Sequence, residues 1–177
     1  LAGSAGLAVD HPLQGYDEYT NATRAISTAI TEASDDARID PTRVGIWVFS
    51  GGGPFVARLI DQPGDHLRVI AATYPILVDR PGRVLPDGFH PLDSVRALTR
   101  EQAAAAPPIV LTSVGLEAPE AAAGVDQFIA AAARAGLSLT HLHVAQGVHG
   151  FDSAPATDEG VTAVHEAVRV VTHLLRA

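Results

Sequence analysis

Val44-Gly45-Ile46-Trp47-Val48-Phe49 is an almost unbroken apolar run that ends in Ser50-Gly51-Gly52-Gly53-Pro54. A short apolar run bounded by turn residues reads as a strand covered on both faces, the kind that parallel sheets use. Phe55 to Ile60 is apolar enough to open a buried helix, with Arg58 its one charge. Strand, glycine turn and helix then recur along the chain. Further strands are expected at 67–74, 109–114 and 137–144, and a short one at 5–9, bounded by Gly6 and Asp10-His11-Pro12. Residues 17–34 read as a helix, because Tyr19, Ala22, Ile26, Ala29, Ile30 and Ala33 recur at its period.

A loop over 75–91, rich in proline and glycine, should hold little regular structure. The helical stretch over 92–106 divides in two, since Thr99 and Gln102 have capping-box spacing. Pro119 suits the first turn of a helix and Gly136 its end. The last helix, over 158–175, carries Val161, Val164, Val168, Val171 and Leu175 on one face, with Asp158 and Glu159 at its positive end. Strands alternating with helices build an α/β fold: a mostly parallel sheet with helices on both faces. At 177 residues and 47% hydrophobic content, residues 1–177 read as a single domain.

Composition removes several function classes. Twelve Lys and Arg stand against 20 Asp and Glu, a net charge of -8, which argues against a phosphate-tracking surface and so against nucleic acid as a partner. The chain has no cysteine, which excludes disulfides and thiolate catalysis and leaves the compartment open. No apolar run approaches the roughly 18 residues of a membrane span, so no membrane partner is expected.

Parallel sheets bind ligands beyond the carboxyl ends of their strands. Three strand ends there carry reactive side chains: Ser50, Glu117 and His149. Ser50 follows a buried strand and precedes glycines and a helix, the setting of a nucleophile elbow. The sharp turn lifts the hydroxyl above the sheet, and small neighbours let strand and helix pass closely. His149 would take the serine proton and return it to the leaving group, while Glu117 fixes the imidazole tautomer. The Gly51 amide would face the developing oxyanion. A P-loop is disfavoured, since no Lys-Ser or Lys-Thr follows the glycines.

The stretch Asp40-Pro41-Thr42-Arg43-Val44 through Gly53, then Ala71-Ala72-Thr73-Tyr74-Pro75, Val114-Gly115-Leu116-Glu117, Val125-Asp126-Gln127-Phe128 and Gly147-Val148-His149-Gly150-Phe151-Asp152 resemble the alpha/beta hydrolase superfamily. The resemblance is nearest to its dienelactone hydrolase-like esterases and acyl hydrolases, and it runs from about residue 40 to the end. It implies a serine hydrolase of a small ester or acyl substrate, with Ser50 as nucleophile, Gly51 as one oxyanion amide, His149 as base and Glu117 as acid. It implies no cofactor and no metal. Val48 departs from the usual Gly-x-Ser-x-Gly, in which a glycine stands two residues before the serine.

In the family's order, 5–9 would be the fourth strand and 44–49 the fifth, with the third between them. The chain begins at Leu1 and has no methionine. A further segment or a second chain is therefore expected to complete the N-terminal strands and supply the second oxyanion donor.

Rival readings attach to several residues. Glu117 is also placed to cap the helix at Pro119, and Asp79 and Asp126 are alternative acids. Asp152 would support the histidine loop over 147–152 or act as a turn former. His141 and His143, two apart on a strand, read as surface histidines or, with His149, as metal ligands. Trp47 and Phe49 are expected in the core, and Tyr74 and Phe151 along a substrate pocket. With the 75–91 loop too short for a large lid, an open site and a small substrate are expected. The competing functions are a non-catalytic ligand-binding or scaffold protein, and peptidase or acyltransferase chemistry at the same elbow.

Overall fold

The computed structural model describes residues 4–9, 17–153 and 157–177. Asp10-His11-Pro12, read above as a strand boundary, lies outside the described residues. Four parallel strands form one sheet in the order β1 (Val44–Phe49), β2 (Leu67–Thr73), β3 (Ile109–Leu116) and β4 (Leu139–Val148). Spatial order therefore equals chain order, and the connection between each strand and the next contains at least one helix. These are α2 (Phe55–Asp61), then α3 (Pro91–Ala97) with α4 (Arg100–Ala105), then α5 (Pro119–Ala135). α1 (Asp17–Ser34) precedes the sheet and α6 (Asp158–Leu174) follows it. No helix among the described residues is long and apolar enough to cross a membrane.

Alternating side chains of β2 and β3 feed two cores, as the period of a strand requires. Ile70, Ala72, Ile109 and Leu111 point to one face, where they meet Tyr19 of α1, Phe55 and Val56 of α2, Val95 of α3 and Phe128 of α5. Val69, Ala71 and Val110 point to the other and meet Val170, Val171, Leu174 and Leu175 at the α6 end of the chain. This layering is the expected α/β arrangement, with helices on both faces of the sheet. Thr99 and Gln102 form the expected capping box between α3 and α4, and Gly136 ends α5 in the left-handed region at φ +81°.

The structure corrects several expectations. Residues 4–9 lie in no strand and are largely exposed, Leu7 at 65% among them. β1 is then an edge strand among the described residues, only half covered, and Phe49 is 42% exposed instead of buried in the core. Trp47 does pack on the α6 side, and its Nε1–H donates to Thr73 Oγ1 at 2.8 Å. Of the predicted α6 stripe, Val164, Val171 and Leu175 pack against the cores, joined there by Gly160, Ala163, Ala167 and Val170, while Val161 is exposed. The 75–91 loop has only an isolated bridge between Arg80 and Arg83, yet its Leu77, Leu85 and Phe89 are buried.

The largest correction concerns β4, which runs on to Val148 where the sequence pattern ends it at 144. Val114 pairs with Val144, but the next pair is Leu116 with Val148, two steps along β3 against four along β4. β4 therefore bulges by two residues. The bulge presses the Ala145 carbonyl so near Gly115 that a Cβ there would stand 2.0 Å from its oxygen. Replacing Gly115 by Ala should cost about 1–3 kcal/mol through forced displacement of the bulge. Urea unfolding of the variant checks this, and an unchanged midpoint would show that the bulge yields freely.

Candidate active site

Because the strands are parallel, all four carboxyl ends lie on one edge of the sheet. Ser50 follows β1, Tyr74 follows β2, Glu117 follows β3 and His149 follows β4. The structure brings these four together.

Ser50 sits at the sharpest point of the chain. Phe49 is extended at φ -126°, Ser50 is left-handed at φ +47°, and a 3-10 turn over Ser50–Gly52 begins at once. A non-glycine residue in this region is strained and persists only where its surroundings fix it. Here the Ser50 carbonyl accepts from Gly53 N–H at 2.9 Å and from Ile76 N–H at 3.0 Å. Both bonds need Gly53, since a Cβ there would lie 2.4 Å from the Ile76 oxygen. Tyr19 OH donates to the Gly51 carbonyl at 3.2 Å and ties the turn to α1. The Gly51 N–H belongs to the opening of the 3-10 turn, where amides have no partner within the turn. Added at Gly51, a Cβ would meet nothing within 4 Å, so the backbone there borders open space.

A chain of short hydrogen bonds leaves the serine. Ser50 Oγ lies 2.6 Å from His149 Nε2, and His149 Nδ1 lies 2.6 Å from Glu117 Oε2. The Glu117 side chain is 9% exposed and the His149 ring 35%. Glu117 Oε1 also accepts from the Ala118 N–H at 2.9 Å, so the same carboxylate serves the local turn and the imidazole. With the ring proton on Nδ1 and donated to the Glu117 carboxylate, Nε2 is left to accept from the serine hydroxyl. Such an arrangement can draw a proton from the hydroxyl and hold the resulting imidazolium.

The rival acids lie elsewhere. Asp79 accepts from Leu85 N–H at 2.7 Å, and Asp126 is exposed on α5. His141 Nε2 and His143 Nδ1 each lie 2.8 Å from Ser113 Oγ, while the His149 ring is engaged by Ser50 and Glu117. Burial and the neighbouring His143 pull the His141 imidazole below its ordinary range, against Asp126. Among the described residues no three His, Asp or Glu side chains are grouped to hold a metal ion.

Tyr74 and Phe151, expected along a substrate pocket, are placed in a buried cluster with Val114 and Val144. They stand behind the imidazole. The Tyr74 ring centroid is 4.8 Å from that of His149 and 5.8 Å from that of Phe151, which it meets edge-on. Tyr74 is also left-handed, at φ +38°, and its N–H donates to the Thr112 carbonyl at 2.7 Å. Its hydroxyl donates to Asp152 Oδ1 at 2.5 Å, which gives Asp152 the supporting role in the histidine loop. Only the ring of Tyr74 was legible as a site feature; the hydroxyl bond joins residues 78 apart and has no local signal.

No family model matches the sequence, and no curated protein is similar to it. Solved structures do match. An alpha/beta hydrolase from a Medee basin deep-sea metagenome library superimposes over 93% of this chain with a TM-score of 0.70 at 12% identity. The chain has the alpha/beta hydrolase fold. A thermostable esterase from Pseudomonas putida gives 0.71 at 14% identity, and the Francisella virulence factor BioJ 0.73 at 10%, each over 93% of this chain. The chain spans 67%, 61% and 64% of the lengths of these three structures.

Burial and the Asp152 carboxylate both push the Tyr74 phenol well above its ordinary pKa. A phenol whose pKa rises on folding adds stability that is complete below the unfolded value of about 10 and fades as pH climbs through the folded one. Tyr74→Phe should therefore cost about 1 kcal/mol from neutral pH up to that value. Denaturation of both forms as a function of pH checks this: the difference should close only at strongly alkaline pH.

Proposed function

We propose that the chain carries the catalytic triad of a serine hydrolase acting on a small carboxylic ester or related acyl substrate. The observation that supports it is the unbroken chain from Ser50 Oγ through the His149 ring to Glu117 Oε2, both links 2.6 Å. Ser50 Oγ attacks the carbonyl carbon as its proton passes to His149 Nε2. The carbonyl oxygen becomes an oxyanion facing the Gly51 N–H. His149 then gives its proton to the departing alcohol as the carbon–oxygen bond breaks, leaving an acyl group on Ser50. Water, deprotonated by His149, attacks the acyl carbon and frees the acid and the serine. Glu117 stays ionised throughout and steadies the imidazolium. The reaction as proposed calls for no cofactor.

Several of the similar folds are esterases, which supports the ester reading, although an acylaminoacyl peptidase shares the fold as well. The resemblance of the elbow and histidine loop supports the dienelactone hydrolase-like group. Treatment with a fluorophosphonate tests the proposal. Ser50 should be tagged, and Ser50→Ala should not. His149→Ala should slow tagging and hydrolysis of a short-chain ester by a factor on the order of 10³ or more. An untagged Ser50 in the folded protein would favour the scaffold reading.

A further inference from the structure

We infer that Glu159 is a positioning residue that holds β4 in the register at which His149 meets Glu117. The inference starts from the pairing of β3 with β4. Continued without interruption from Val114 and Val144, the ladder would set Glu117 opposite Gly147. The two-residue bulge shifts the pairing, so that Leu116 meets Val148 and Glu117 comes level with His149. The carboxylate–imidazole bond thus depends on a bulge in the strand just before it.

A bulge takes amides out of the ladder, and those amides need other acceptors. Glu159 supplies them. Its Oε1 accepts from Ala145 N–H at 2.7 Å and its Oε2 from Gln146 N–H at 3.0 Å. One carboxylate therefore holds the two consecutive residues that make up the offset. Bonds from an ionised acceptor to backbone amides are among the stronger hydrogen bonds.

Glu159 is itself held in place. It lies in the first turn of α6, where the helix dipole favours a carboxylate, and the Thr157 side chain caps that turn by accepting from Gly160 N–H at 3.1 Å. Gly160 lies against the Phe151 ring, where a Cβ would come within 3.0 Å, so the helix start is seated on the histidine loop. Glu159 acts on His149 through the backbone of Ala145 and Gln146, to which its two carboxylate oxygens are bonded.

The test reads the imidazole directly. In the folded chain, the Nδ1 proton shared with Glu117 should give a far-downfield proton resonance, assigned by its absence from His149→Gln. In Glu159→Ala this resonance should disappear, and tagging of Ser50 by a fluorophosphonate should slow by roughly ten- to a hundredfold, as small misplacements do. Glu159→Gln keeps one acceptor and turns an NH₂ toward the other amide. It should fold where the alanine variant fails, with a weakened resonance and a smaller loss of rate.

Thr99→Ala removes the α4 cap and lowers stability away from the bulge and from Glu159, so it should keep both signals. The inference is overturned if Glu159→Ala retains the resonance and the tagging rate, or if Thr99→Ala loses them equally. It is also overturned if Glu159→Ala does not fold and Glu159→Gln matches the parent in both. The rate measurement rests on the hydrolase reading, but the resonance does not. A parent chain that shows the resonance without tagging would count against hydrolysis by this chain alone and leave Glu159 to be judged by the resonance.

Discussion

The hydrogen bond between Ser50 Oγ and His149 Nε2 joins side chains 99 residues apart, and the rest of the structure can be read as what makes it possible. Neither residue chooses the other locally. They meet because β1 and β4 run parallel in one sheet, so that the loops leaving them open on the same edge. β2 and β3 lie between, and they too deliver a residue to that edge. Tyr74 fills the space behind the ring, and Glu117 fixes the ring's far nitrogen. A 2.6 Å contact across the width of a sheet demands a rigid floor, which the buried residues Val69, Ile70, Ile109, Val110 and Leu111 of β2 and β3 supply.

Strain is concentrated where that precision is needed. The two non-glycine residues with positive φ among those described are Ser50 and Tyr74, which flank the imidazole from two strand ends. Both are over-determined by backbone bonds: Ser50 through Gly53 and Ile76, Tyr74 through Thr112. The Ile76 bond also links the two sites, because the segment that starts with Tyr74 returns an amide to the Ser50 carbonyl. A backbone hydrogen bond therefore ties the elbow to the segment that carries the ring support.

Much of this was legible in the sequence. The β1 boundaries, the two-piece helix after the proline loop, and the order of Ser50, Glu117 and His149 along strand ends all follow from apolar runs and their breaks. What failed to show were features set by contacts distant in sequence. Ala145-Gln146-Gly147 breaks the apolar pattern and so reads as loop, yet it is a bulge held by a carboxylate 13 and 14 residues away. The α6 stripe is read through its valines, which locate Val164 and Val171 on the packed side but give no signal for the buried Gly160 and Ala167 and misplace Val161. Tyr74 and Phe151 are expected beside the site, but sequence gives no measure of depth, and the structure shows both buried, with the Tyr74 ring against His149.

Val48 shows how a motif's departure can be understood from the same geometry. The usual glycine two residues before the serine leaves room for the chain that folds back after it. Here a valine is accommodated: even a Cβ on Gly52 would lie 3.4 Å from the Val48 Cβ, in ordinary van der Waals contact. Val48 is 7% exposed and packs into the core beneath the elbow. The exchange even adds apolar burial under Ser50. Gly53 has no such latitude, because the atoms it faces belong to the Ile76 backbone and cannot rotate away.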